Sequence, residues 1–180
     1  QKKLYFAADD GQHGRELWSY SPKTNDTRMV VDLQTTASNG SNPGDITDLN
    51  GQIVFAANDA IYGRELWISD GSASGTRLLA DINPGGFSSH PSDLTPWNGN
   101  IVLTAENYLY GNQLLKLTSN ALDLIDITGS SDNNIANQPE QLHASGELLF
   151  YSAETTSAPS DDTVSNPEGT DPGGFMTARN

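Results

Sequence analysis

One pattern of about 48 residues recurs along this chain of 180 residues. Its fullest copy, IVFAANDAIYGRELWISDGSASGTRLLAD, runs over residues 53–81, and related copies start near Leu4, Ile101 and Leu148. A repeat of this length is typical of propellers and other repeat arrays, in which each unit buries its apolar faces against its neighbours. Three prolines keep the same spacing of 48 residues, at Pro43, Pro91 and Pro139.

Each period contains four short apolar runs, rich in β-branched or aromatic residues and bounded by turn residues. Such runs predict strands. Around the fullest copy the predicted strands are residues 46–50, 53–57, 65–69 and 76–82. The first two are joined by Asn-Gly, a strong hairpin signal, because both central turn residues must adopt positive φ. No segment has sustained helical periodicity. The sequence therefore predicts an all-β chain that forms a β-propeller or part of one, with four-stranded antiparallel blades.

The repeats divide the chain into two parts. We assign residues 1–151 to the blades and residues 152–180 to a segment rich in Ser, Thr, Pro, Gly and Asp. This second segment is either a loop or tail, or an enlarged loop that leads to a third strand at residues 174–177. Because the first residue is Gln1 and no leader is recognisable, we expect the chain to be an excised portion of a longer protein.

The composition restricts the class of partner. Nine Lys and Arg residues against 23 Asp and Glu residues give a formal net charge of −14. An acidic surface repels phosphate backbones and anionic lipid, so we expect neither nucleic-acid nor membrane-surface binding. No apolar run reaches transmembrane length, so we expect no membrane insertion. The chain has no cysteine, which excludes disulfides, thiolate metal sites and a cysteine nucleophile.

The fullest copy reads GRELW at residues 63–67, followed by Asp70-Gly71 and Gly75-Thr76. It resembles the bacterial ELWxxDGT repeat family. The first copy repeats GRELW at residues 14–18, whereas the third has Gln113 and Leu115 in place of the Glu and the Trp. The resemblance implies propeller-like blades within a secreted or cell-surface bacterial protein. It implies no common catalytic reaction.

The motif residues themselves are expected to serve the fold. Trp18 and Trp67 occupy one position of the repeat that Leu fills in the third copy, which favours packing between blades over ligand stacking. Glu16 and Glu65 are expected to accept hydrogen bonds from nearby backbone or from the preceding arginine.

Acidic loops between the second and third strands suggest one metal hypothesis. Their carboxylates are hard oxygen donors on short loops, which suit Ca²⁺. The competing interpretation is an ordinary solvated surface, since no D-x-D-x-D-G string is present. The candidate calcium ligands are Asp9, Asp10, Asp59 and Glu106.

Aromatic residues near the same loops suggest a glycan-binding hypothesis. Tyr62, Phe87, His90 and Tyr110 are the candidate binding residues, with Tyr108 beside them. The three histidines hold unrelated repeat positions, and there is no HExxH, G-x-S-x-G or phosphate-loop motif. No catalytic residue is therefore assigned.

The sequence thus favours a non-catalytic extracellular or cell-surface module that is structural or binds protein. Its partners would be other protein chains, or the remaining parts of the same polypeptide. One alternative is a lectin-like module that binds glycans, with calcium as its cofactor. A second alternative is a propeller hydrolase or lyase with an acidic site on the loop face.

Overall fold

The computed structural model describes residues 2–36, 39–109, 111–118, 121–124, 139–152 and 176–178. In these ranges the strands form four antiparallel sheets, which we number in chain order. Sheet 1 contains β1 (Leu4–Asp9), β2 (Arg15–Ser21) and β3 (Asp26–Val31). Sheet 2 contains β4 (Gly44–Leu49), β5 (Gln52–Asp59), β6 (Gly63–Ser69) and β7 (Arg77–Ala80). Sheet 3 contains β8 (Ser92–Trp97), β9 (Asn100–Asn107), β10 (Gly111–Leu117) and β11 (Leu122–Leu124). Sheet 4 contains β12 (Glu140–Ser145), β13 (Leu148–Ser152) and β14 (Met176–Ala178).

The all-β prediction is confirmed. Each sheet is built from consecutive strands that neighbour one another in chain order. The ranges described contain no helix, and hence none long and apolar enough to cross a bilayer. β14 pairs with β13, in the position that the enlarged-loop hypothesis gave to a third strand.

The hairpin turns have the predicted geometry. Asn50 and Gly51 have φ of 54° and 87°, and Asn98 and Gly99 have φ of 49° and 74°. Positive φ at both central residues matches the right-handed twist of the flanking strands. These turns set the register of the first two strands in sheets 2 and 3.

An apolar cluster joins sheet 1 to sheet 2. Leu17 and Val30 from sheet 1 meet Ile53, Phe55 and Trp67 from sheet 2. Burying a side chain of the size of Leu or Phe stabilises the fold by about 1.5–3 kcal/mol. Trp67 is 7% exposed, so its predicted packing role is confirmed.

Sheet 2 is covered on its other face as well. Successive side chains of β5 point to opposite faces, so Val54 joins a second cluster with Leu103 and Leu115 of sheet 3. A third cluster joins sheets 3 and 4 through residues such as Leu114 and Leu149. Burial on both faces explains why β5 and β9 each contain a nearly unbroken apolar run.

Two glycines with positive φ allow a matched test of close packing. A Cβ at Gly51 (φ +87°) would meet nothing within 4 Å, whereas a Cβ at Gly40 (φ +69°) would overlap the main chain of Arg15. We expect Gly51→Ala to cost about 1 kcal/mol of unfolding free energy through backbone strain alone. Gly40→Ala should cost at least about 1–3 kcal/mol more, because the Arg15 backbone must move.

Urea denaturation of both variants measures this difference. Equal losses for the two alanine variants would contradict the close approach of residues 40 and 15.

Candidate functional site

A buried carboxylate joins the third strand of sheet 2 to the segment that leads to sheet 3. Glu65 is fully buried and accepts three hydrogen bonds. The Ser89 amide donates to Oε1 at 2.8 Å, the Ser89 hydroxyl to Oε2 at 2.6 Å, and the Ile82 amide to Oε2 at 2.9 Å. Burial raises the pKa of Glu65, these hydrogen bonds oppose the rise, and the charge of Asp81 adds to it.

The same arrangement occurs one unit earlier. Glu16 is fully buried and accepts hydrogen bonds from the amide and hydroxyl of Ser41 and from the Leu33 amide. We call these two sets of contacts the Glu–Ser links. The predicted hydrogen bonding of both glutamates to backbone is confirmed, and among the described residues none of their donors is an arginine.

Each Glu–Ser link also reaches the following sheet. The carbonyl oxygen of Ser41 accepts the Asn58 amide of β5 at 2.8 Å, and that of Ser89 accepts the Glu106 amide of β9 at 2.6 Å. One serine therefore bonds to two successive sheets. The first strand of the next sheet starts three residues beyond it, so the links fix where β4 and β8 begin.

The first strands share a β-bulge at their starts. Asp45, Asp93 and Gln141 have φ of 52°, 55° and 58°. The pairing with the second strand shifts at each of these positions. The Asp93 amide donates a hydrogen bond to the Asp45 carboxylate. The Gln141 amide donates to Asp93 Oδ2 at 2.9 Å. A bulge redirects the local side chain, and here it directs each aspartate to the next first strand.

A second contact repeats between the first strands. The Thr47 hydroxyl of β4 donates to the carbonyl oxygen of Leu94 in β8 at 3.1 Å. The Thr95 hydroxyl of β8 donates to that of Leu142 in β12 at 3.4 Å. β4, β8 and β12 therefore lie side by side, although they belong to three different sheets.

A cleft of about 530 Å³ opens where these first strands begin. It spans sheets 2, 3 and 4 and collects polar side chains from six strands and one connecting segment. They include Asp45, Arg64, His90, Asp93, Glu106, Asn112 and Gln141.

Burial shifts the pKa values of two charged groups in the cleft, Asp45 and Arg64. It raises the pKa of Asp45, an effect that the nearby Arg64 guanidinium opposes and the Asp93 carboxylate reinforces. Burial also lowers the pKa of Arg64, whose Nη1 donates to the Asn42 carbonyl oxygen at 2.8 Å. The Arg64 guanidinium is thus held by a hydrogen bond to the backbone and by its attraction to the Asp45 carboxylate.

The candidate residues from the sequence divide into separate groups. His90 and Glu106 line the cleft. Tyr62 is half-buried, and its amide donates to Asp59 Oδ1 at 2.6 Å. Phe87 is exposed outside the cleft, and Tyr110 lies outside the described residues.

The acidic loops use their side chains to cap their own turns. Asp9 Oδ1 accepts the Gly11 amide at 2.7 Å. Asp10 Oδ1 accepts the Gln12 and His13 amides, and Asp10 Oδ2 lies 2.8 Å from Nδ1 of His13. The two amides and the imidazole hold the pKa of Asp10 at about 2, and the carboxylate in turn raises the pKa of His13.

The other two loops are capped in the same way. Asp59 Oδ1 accepts the Ile61 amide at 3.0 Å, and Asn107 Oδ1 accepts the Leu109 amide at 3.0 Å. Within the part of the chain that the structure describes, no three acidic or histidine side chains group as metal ligands. The calcium site at Asp9, Asp10, Asp59 and Glu106 stays a prediction.

Two exposed aromatic rings form a platform beside these loops. Phe87 is 62% exposed and Tyr108 is 69% exposed, with ring centroids 6.2 Å apart and a tilt of 35°. The loops that carry them are tied together, because the buried Asn83 Oδ1 accepts the Tyr108 amide at 3.1 Å. The Asn107 side chain also donates to the Ile82 carbonyl oxygen at 2.9 Å.

The aspartates at the centre of the cleft were not predicted from the sequence. Asp45 and Asp93 stand 48 residues apart, each followed by an aliphatic residue and a threonine. This repeated spacing was the sequence signal from which the two aspartates could have been predicted as equivalent residues. The sequence pattern related Arg64 only to Glu65, whereas its guanidinium lies at the start of β4, where it donates to the Asn42 carbonyl oxygen and lies near Asp45.

Comparisons with known proteins give little guidance. No family model matches this chain, and no curated protein matches it. One similar solved structure comes from an analysis of two prolyl endopeptidases and the role of inter-domain dynamics in their catalysis and specificity. It is 14% identical with a TM-score of 0.48, and the match covers 88% of this chain and 24% of that chain. This chain spans about a quarter of that protein, and we base no argument on the likeness.

Removing the charge of Glu65 tests the Glu–Ser link. In Glu65→Gln an amide donor replaces one carboxylate oxygen and faces groups that are themselves donors. We expect a loss of about 1–3 kcal/mol in the free energy of unfolding at neutral pH, measured by urea denaturation. Glu147→Gln, at an exposed hairpin turn, is the matched control and should change stability by about 0.5 kcal/mol at most.

The same pair of proteins gives a pH dependence. Because the pKa of Glu65 is raised in the folded state, protonation favours folding. The contribution of Glu65 is full below its unfolded pKa and is lost as the pH rises through the folded pKa. The stability of the wild type relative to Glu65→Gln should therefore decrease from pH 4.5, the ordinary value, towards neutral pH. An increase over that interval would contradict the assignment.

Proposed function

We propose that this chain forms blades of a β-propeller and acts as a non-catalytic protein-binding module. Two observations support the propeller. The sheets follow one another in chain order with an apolar cluster between each successive pair. The first strands of sheets 2, 3 and 4 lie side by side, as the innermost strands of blades do around an axis. The resemblance of GRELW and its downstream turn to the ELWxxDGT repeats supports placing the module in an extracellular or cell-surface bacterial protein.

The cleft at the start of the first strands carries the binding proposal. In a propeller this end of the innermost strands opens onto the central axis, where loops from several blades can contact one partner. The polar groups of the cleft are fixed in position. The carboxylates of Asp45 and Asp93 accept backbone amides, and the Arg64 guanidinium donates to a carbonyl oxygen. Preorganised groups lose little conformational freedom when a partner binds.

The net negative charge of the cleft favours a basic partner. Asp45, Asp93 and Glu106 carry three negative charges against one positive charge on Arg64. The chain as a whole, these residues included, has a formal net charge of −14. A lysine or arginine on a basic surface segment of a partner protein fits this field, which would also speed its association at low salt.

An oligolysine peptide is the first probe for the cleft. We expect Glu106→Gln to weaken its binding about two- to fivefold, as measured by calorimetry at low salt, because Glu106 is an exposed charge at the rim. Glu147→Gln removes the same charge at a distant hairpin turn and should leave the affinity nearly unchanged. An equal loss for both variants would assign the binding to overall charge and contradict a role for the cleft.

The aromatic platform favours a second candidate function. Phe87 and Tyr108 present two exposed faces beside polar loop groups, as in a site where a sugar ring stacks on aromatic side chains. This is the lectin-like alternative, with glycans as ligands and calcium as a proposed cofactor. The hydrogen bond from the Tyr108 amide to Asn83 Oδ1 fixes the loop and does not involve the aromatic rings.

A glycan array followed by calorimetry tests this candidate. Tyr108→Ala should weaken binding of any captured glycan roughly two- to twelvefold, whereas Tyr108→Phe should retain it. The titration is made with EDTA and again with calcium, so that a metal requirement is measured directly. Unchanged affinity in Tyr108→Ala would contradict the platform.

The hydrolase or lyase alternative stays a prediction. The raised pKa of Asp45 is the feature that resembles a catalytic carboxyl group. However, the carboxylates of Asp45 and Asp93 both accept amides of the neighbouring first strand, which favours a structural role.

A further inference from the structure

Three exposed apolar residues lie on loops that pack against one another across two units. Ile61, in the loop between β5 and β6, is 70% exposed, and Phe87 and Tyr108 are 62% and 69% exposed. The loops approach closely, because a Cβ at Gly86 would lie only 3.3 Å from the Ile61 carbonyl oxygen. Phe87 is the next residue, and its ring centroid lies 6.2 Å from that of Tyr108. We call Ile61, Phe87 and Tyr108 the apolar patch.

Backbone hydrogen bonds hold the loops of the apolar patch in place. The Ser88 hydroxyl accepts the Arg64 amide at 2.9 Å, which joins the segment that carries Phe87 to the start of β6. The Tyr108 amide donates to Asn83 Oδ1 of the same segment at 3.1 Å. Neither bond uses an apolar side chain of the patch. Exposed apolar side chains grouped on a fixed surface are typical of a site that binds another molecule.

The apolar patch lies at the same end of the sheets as the cleft that spans sheets 2 to 4. Thr104 and Glu106 of β9 line the cleft, and Tyr108 follows Glu106 by two residues. His90 also lines the cleft, and Phe87 precedes it by three residues. Because an extended chain rises about 3.3 Å per residue, these steps along the backbone span about 7–10 Å. One extended segment of a partner can therefore reach both the cleft and the patch.

Charge and side-chain chemistry indicate what the patch binds. The stretches that carry it, residues 59–63, 83–91 and 106–109, contain two carboxylates and no lysine or arginine. This negative charge disfavours an anionic ligand and favours a segment with lysine or arginine. Ile61 adds an aliphatic side chain to the two rings. A mixed aliphatic and aromatic surface suits a large apolar side chain of a polypeptide, which loses contact with water when it packs there.

We propose that the apolar patch and the cleft form one binding surface for a polypeptide segment that carries a lysine or arginine and, two to three residues away, a large apolar side chain. The basic side chain enters the negative field of the cleft beside Glu106. The apolar side chain packs on Phe87 and Tyr108. This inference rests on the proposed function, since it adds a second contact to the basic partner of the cleft.

Two synthetic peptides, KKKKKKGFG and KKKKKKGAG, are the probes, and calorimetry at low salt measures their affinities. They have the same charge and differ by one aromatic ring, two residues beyond the last lysine. We expect the phenylalanine peptide to bind about two- to twelvefold more tightly, because its ring packs against exposed aromatic rings. Equal affinities for the wild type would overturn the inference.

The ratio of these two affinities is then measured in variants. Tyr108→Ala should bring the ratio close to one, and Tyr108→Phe should keep it, because the contact uses the ring. Leu4→Ala is the matched control and should keep the ratio. Leu4 is 59% exposed and begins β1, at the opposite end of that strand from its loop to β2. A ratio in Tyr108→Ala that equals the wild-type ratio would overturn the assignment to the patch.

A stiff spacer tests whether one segment occupies both the cleft and the patch. Six prolines form an extended helix of about 3.1 Å per residue, so in KKKKKKPPPPPPFG the phenylalanine lies roughly 20 Å beyond the last lysine. This peptide and its partner KKKKKKPPPPPPAG should bind with nearly equal affinity. A ratio as large as that of the short peptides would overturn the proposed spacing.

Failure of this inference is distinguishable from failure of the proposed function. Binding of KKKKKKGAG that is weakened in Glu106→Gln supports the proposed function, whatever the effect of the phenylalanine. An affinity ratio near one, together with a captured glycan that binds more weakly to Tyr108→Ala, would assign the patch to glycans and overturn the inference. It would leave the Glu106 result intact.

Discussion

The arrangement of the sheets depends on a buried carboxylate whose hydrogen-bond donors, within the described ranges, are all neutral. A charge removed from water is costly unless hydrogen bonds replace its hydration. Glu16 and Glu65 meet this condition with three donors each, two of them from one serine. The hydrogen bonds to the buried glutamate therefore fix the path of the chain between two successive sheets. Ser41 and Ser89 must reach back to one sheet with their amides and hydroxyls while their carbonyl oxygens bond to the next.

The position of the cleft follows from this constraint. The first strand of a sheet begins three residues after the linking serine, so the link sets where that strand and its bulge lie. The bulge then turns Asp45 or Asp93 towards the next first strand, and Arg64 enters from the third strand of its own sheet. The polar groups of the cleft are consequently placed by structural contacts.

Sequence patterns predicted the strands well, because both faces of sheets 2 and 3 are covered and their apolar runs are easily recognised. They failed where a specific contact competes with strand pairing. Residues 76–82 were predicted as one strand, but β7 ends at Ala80 because the Ile82 amide donates to Glu65. The cleft was missed for a related reason. Alternation predicts the side of a strand on which a residue lies, and a bulge with positive φ changes that direction at Asp45.

In the capped loops, the backbone conformation does not depend on the exposed side chains. Gln12, Ile61 and Leu109 hold the same position in three loops, and each donates its amide to an Asp or Asn two residues earlier. Ile61 is 70% exposed and Leu109 is 58% exposed, so the fold makes little demand on the side chain. Mutation can therefore replace an amide by an aliphatic group at this point while the loop backbone stays the same. The exposed side chains can therefore differ from unit to unit while the loop conformation is kept.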